Sequence, residues 1–216
     1  MTLLRSVVVL LLTLPHLTLA AVFVDVQGIQ IDVEPPKGFT SAPAAEKWLT
    51  EAIAKSVPPA NTLVSYFVTD QTARRFATAA DQLVPPRRLV VQVSKRFDNR
   101  DVEKGDFEST RRVALERQGR FSDEVRAKAK VMLEQRGLIQ DNVLSLGVFV
   151  DQPQYFGVTN VMTYKNSPSL VGCSMLVYVK KRLLFLYIFV EGGSSADTAW
   201  VEKVGRDWAE KVIRSN

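Results

Sequence analysis

The chain has 216 residues, 46% of them hydrophobic and 24% charged, with a formal net charge of +5. That length and balance suit one folded domain with a full core and exclude a disordered or low-complexity chain. A single Cys excludes an internal disulfide, and a single His, at position 16, sharply narrows the chemistry available.

Met1 to Ala20 has a basic start at Arg5, an apolar run from Val7 to Leu14, and Thr18-Leu19-Ala20, with small residues where a signal peptidase reads. The pattern predicts a secretory signal peptide over residues 1–20. A single α+β domain follows over 21–216, exported to the periplasm or the exterior. The competing reading is an uncleaved anchor, because apolar character continues from Ala21 to Val24. Pro15, His16 and Thr18 interrupt that run, and a spanning helix needs about 20 apolar residues. Cleavage would remove His16, leaving no imidazole for Ser-His or Cys-His catalysis or for a His-ligated metal.

Val22 to Val33 alternates loosely and predicts an opening strand or hairpin. Glu34 to Phe39, with two prolines and Gly38, is a loop. Pro43 to Val57 is a helix candidate with a stripe of Trp48, Leu49, Ile53 and Ala54, stopped by Pro58-Pro59. Leu63 to Val68 reads as a strand. Asp70 is the expected cap of a short helix through Phe76, and Arg88 to Ser94 is another strand.

Gly105 to Arg136 reads as a helical basic insertion in two pieces. Phe107, Val113 and Leu115 mark the first; Ser122 caps the second, whose stripe is Val125, Ala129, Met132 and Leu133. Val143 to Val150 and Phe156 to Tyr164 are strands joined by a turn at Gln152-Pro153-Gln154. Lys165 to Pro168 is expected as a loop.

Ser169 to Ser215 is the most legible stretch. Two strands, from Leu170 to Val179 and from Leu183 to Val190, are apolar on both faces, so layers should cover both sides of their sheet. The short connection makes them antiparallel. Lys180 and Lys181 are poor residues for a type I′ turn, which predicts a looser loop over Lys180 to Arg182. An amphipathic helix closes the chain, capped by Ser194 or Ser195, with Val201, Val204, Trp208 and Val212 on its core stripe. Trp200 and Trp208 are read as core anchors rather than ligand-stacking residues. Cys173 lies mid-strand among apolar residues and reads as a buried, inert thiol.

Charge is uneven. Arg87 to Arg136 holds fourteen Lys/Arg and nine Asp/Glu, whereas the rest of the mature chain holds 13 and 14. A solvated helix surface explains this; attraction to anionic lipid, envelope polymers or an acidic partner is the sharper alternative. Nucleic acid is disfavoured, because no aromatics interleave with the basic residues. Asp98, Asp101, Glu103 and Asp106 cluster in one loop, without EF-hand spacing, and read as turn and cap chemistry rather than a calcium site. No phosphate-loop, zincin, serine-hydrolase or Cys-x-x-Cys motif occurs. No catalytic, cofactor or metal residue is therefore assigned.

The segment from Gly28 to Phe39, an extended strand followed by Pro36-Lys37-Gly38-Phe39, resembles the opening of PsbP-like α/β/α sandwich proteins. The long antiparallel strands and closing helix resemble the same group, and Trp200, Trp208, Ile213 and Asn216 resemble the close of exported bacterial proteins. The resemblance implies a central antiparallel sheet covered by helices on both faces, with no catalytic residues to carry over. It implies an accessory, assembly or chaperone-like role. The expected function is a non-catalytic, exported partner-binding protein, its partner a protein or an anionic envelope component. The alternatives are a hydrolase using carboxylates or a hydroxyl, and a membrane-surface protein held by an uncleaved N-terminal segment.

Overall fold

A computed structural model describes residues 22–42, 57–76, 85–97, 100–119, 142–164 and 167–216. The expected signal peptide, all of the helix candidate over 43–57 but Val57, and the second piece of the basic insertion lie outside the described residues.

The chain opens with a hairpin of β1 (Phe23–Val26) and β2 (Ile29–Asp32), which forms its own two-stranded sheet. Gln27 and Gly28 make its turn, both at positive φ, and the Asp25 carboxylate accepts the Gly28 amide at 2.9 Å. Val24, Val26 and Ile31 point inward; Phe23, Asp25 and Gln30 point out.

Seven further strands form one antiparallel sheet. They are β3 (Phe39–Ser41), β4 (Asn61–Thr69), β5 (Arg87–Ser94), β6 (Asn142–Asp151), β7 (Tyr155–Tyr164), β8 (Ser167–Val179) and β9 (Arg182–Glu191). Their order is β3-β4-β5-β9-β8-β7-β6. Two apolar faces bury the central strands, as the runs in β8 and β9 require. Leu184, Leu186, Ile188 and Val190 are buried on one side; Leu183 is buried and Phe185, Tyr187 and Phe189 half-buried on the other.

Three α-helices lie among the described residues: α1 (Asp70–Phe76), α2 (Lys104–Gly119) and α3 (Ser195–Arg214). The fold is mixed α+β on a large antiparallel sheet. Helix α3 begins with a capping box between Ser194 and Asp197 and packs on β7, β8 and β9. Its Trp208 is fully buried, edge-on to Phe67, and its Gly205 sits where a Cβ would be 2.7 Å from Cys173 Sγ. The hairpin shares this core through Val24, Val26, Ile31 and Val33. Across the sheet, Phe107 of α2 stacks on Tyr178 and meets Phe156.

Three expectations need correction. The β8–β9 connection is not a loose loop: Val179 pairs with Arg182, and Lys180 and Lys181 alone turn the chain at φ 45° and 57°. The long strands on either side set the register, and anchors hold the strained pair. Lys181 O accepts the Val102 amide at 3.0 Å, and Lys180 Nζ donates to Gln30 O at 3.1 Å. The cap of α1 is Thr69 rather than Asp70, because the Thr69 hydroxyl accepts the Thr72 amide. Ser167 and Pro168 belong to β8, since Tyr164 pairs with Ser167 and shortens the expected loop.

Candidate functional site

A cleft of about 510 Å³ separates the hairpin from the sheet. Phe23, Val24, Asp25, Val26 and Gln27 form one wall; Thr62, Leu63, Val64 and Val93 form the other. Local pairing explains why it is open. Among the described residues, strand β1 pairs only with β2. Strand β3 reaches only Phe67–Thr69 of β4, with one further bond from the Ala42 amide to Tyr66 O. Among the described residues, the outer edge of Asn61–Ser65 therefore has no strand partner. A register slip between Leu63 and Ser65 marks Val64 as the residue that breaks regular pairing there.

Phe23 is 60% exposed at this cleft. It shares strand parity with Asp25, on the solvent side of the hairpin, where a polar residue is the rule for a one-sided hairpin. The Asp25 carboxylate is satisfied by the Gly28 amide and by Gln30 Nε2 at 3.2 Å. The walls thus offer apolar surface and strand edge, with their one charged group, the Asp25 carboxylate, already hydrogen-bonded within the hairpin.

The hairpin wall is held in place at both ends. At the turn, the Arg182 guanidinium, only 6% exposed, donates to Val26 O, Gln27 O and Lys181 O. Asp101 accepts from it at 2.7 Å, and these bonds with Arg182 and Lys181 hold the Asp101 carboxyl below its ordinary range. At the far end, Asn216 Nδ2 donates to Asp32 O and Asn216 Oδ1 accepts the Asp32 amide. Trp208 Nε1 donates to Glu34 O at 3.1 Å, and Lys211 pairs with Glu34 at 2.8 Å.

The residues singled out in the sequence lie elsewhere. Cys173 is fully buried, its thiol donating to Val201 O, and burial pushes its pKa upward, away from nucleophile chemistry. Trp208 is a core anchor. Trp200 is half-buried, with Arg87 4.7 Å above its ring. Of the acidic cluster, Asp101 pairs with Arg182 and Lys181, while Asp106 accepts the Glu103 amide at the start of α2 and pairs with Arg100. Asp98 lies outside the described residues. Hydroxyl–carboxylate pairs do occur, Thr159 with Glu202 at 2.7 Å and Tyr155 with Glu210 at 2.9 Å. They tie α3 to β7, four strands from β4 and thus on the order of 19 Å from the cleft.

No family model matches the chain, and no curated protein matches it. Three solved chains match. One is the Ran-binding protein Mog1p of Saccharomyces cerevisiae, at 12% identity, covering 90% of this chain and 94% of that one, with a TM-score of 0.36. A likeness that loose carries no argument about this chain.

Proposed function

We propose that the chain is an exported, non-catalytic accessory protein that binds a polypeptide partner of the envelope or the exterior. Its docking site is the cleft between the hairpin and β4. The observation that carries this reading is Phe23, an aromatic side chain left 60% exposed beside two strand edges that have no strand partner among the described residues. A contiguous apolar surface flanked by unpaired backbone groups favours association with another chain. The leader pattern over residues 1–20 supports export. The packing of α3 on one face of the sheet, and of Phe107 from α2 on the other, supports a sandwich of the PsbP-like kind.

Two measurements test it. Mass spectrometry of the exported protein gives a first residue of Ala21; an intact Met1 would favour the anchored alternative. Affinity capture from envelope extract then compares the natural chain with Phe23→Asp, whose outward side chain leaves the core untouched. A partner retained by the first and lost by the second, at equal melting temperature, supports the reading. Equal capture by both proteins places the docking site elsewhere.

A further inference from the structure

We propose that the cleft takes its partner by strand addition: an uncharged, extended segment of another protein pairs with the edge of β1 that has no strand partner among the described residues. This inference rests on the binding role proposed above and specifies its mode. The hairpin turn has two residues, so Val26 and Ile29 form the hydrogen-bonded pair beside it. The alternation of an antiparallel ladder makes Val24 and Ile31 the next such pair, and the Val33 amide bonded to Val22 O at 2.9 Å continues it. The backbone amides and carbonyls of Phe23 and Asp25 therefore point away from β2, toward the open edge. Two donors and two acceptors at strand spacing are matched by a third strand.

Charge complementarity selects the occupant. The Asp25 carboxylate is hydrogen-bonded within its own hairpin, and Thr62, Leu63, Val64 and Val93 of the sheet wall carry no charge. A charged side chain packed against that wall would lose water without gaining a partner there. Alternate side chains of an added strand would face Val64 and Val93, so the segment carries apolar residues at every second position.

A library of random twelve-residue peptides, selected on the exported chain, tests the mode. Selected peptides are expected to alternate in polarity, and N-methylation is expected to weaken binding at least about tenfold at every second residue only. Phe23→Pro removes the outward amide together with the ring, which an edge strand tolerates, whereas Phe23→Ala removes the ring alone, so the difference between the two variants reads the amide. Phe23→Pro is expected to weaken binding about tenfold more than Phe23→Ala at unchanged melting temperature. In the complex, amide exchange at Phe23 and Asp25 slows at least about tenfold, while Val24, already paired, is unchanged. Peptides that tolerate N-methylation throughout, show helical periodicity, or leave those two amides unprotected overturn strand addition. So does a selection that yields no peptide sensitive to Phe23→Pro, or self-association that protects the same amides. Phe23-dependent capture of a partner without that protection would sink the mode and leave the binding role standing. Capture indifferent to Phe23 would sink the docking site in this cleft, and the mode with it.

Discussion

Trp208 shows how much one side chain can join. It is fully buried, packs edge-on to Phe67 at 5.9 Å between ring centroids, and donates its indole N–H to Glu34 O. It thereby couples α3, β4 and the segment leaving the hairpin. Trp208→Ala is expected to cost about 3–5 kcal/mol, measured by urea denaturation. Gly205 and Cys173 form the second such contact. A methyl at 205 would meet Cys173 Sγ at 2.7 Å, with the Met175 sulfur at 3.2 Å. Gly205→Ala is expected to destabilise by about 1–3 kcal/mol, and Gly205→Ala with Cys173→Ala to recover part of that loss. Cys173 was readable as a core residue from its place in an apolar strand; Gly205 carried no such mark. That they touch was not readable, because contact depends on how closely the helix approaches the sheet.

Among the elements, the β8–β9 turn departs most from its sequence. Two lysines occupy left-handed positions that Asn-Gly would fill with less strain. A left-handed conformation costs an ordinary residue about 1–2 kcal/mol. Lys181→Gly is therefore expected to raise stability by about 1 kcal/mol, read from the denaturant midpoint; the exposed Lys181–Asp101 contact it removes contributes less. Unchanged or lower stability would show that this contact matters more than the strain. Helix α3 is the opposite case. Its stripe from Val201 to Val212 and a cap at Ser194 or Ser195 were legible in order, since caps and periodicity are local properties; the structure selects Ser194, with Asp197 completing a capping box.

Across the whole molecule, the hairpin is a separate sheet bound to the rest through side chains. Arg182 gathers Val26 O and Gln27 O of the hairpin turn and is held by Asp101. Arg182→Gln is expected to cost about 1–3 kcal/mol and to speed amide exchange in β1 and β2 far more than in β8. The Asp101 carboxyl is held below its ordinary 3.8 by Arg182 and Lys181. A depressed carboxylate contributes stability above its unfolded pKa and loses it as pH falls through the folded value. Hairpin protection is thus expected to persist at neutral pH and to weaken below about pH 4, and Asp101→Asn should flatten that acid limb.

The sequence by itself determined the types of the long described strands and of α3, the antiparallel pairing of β8 with β9 and the burial of Cys173, because periodicity, caps and apolar runs act over a few residues; it missed β3, whose Phe39 was expected in a loop. Only the tertiary structure decided the tight Lys180-Lys181 turn, the Arg182 clamp and the cleft beside Phe23. Each depends on contacts between segments far apart in the chain. Phe23 had one local mark, its shared parity with Asp25 and Gln27. Its place beside a β4 edge that, among the described residues, β3 pairs only over Phe67–Thr69 is set by the sheet, which no local pattern encodes.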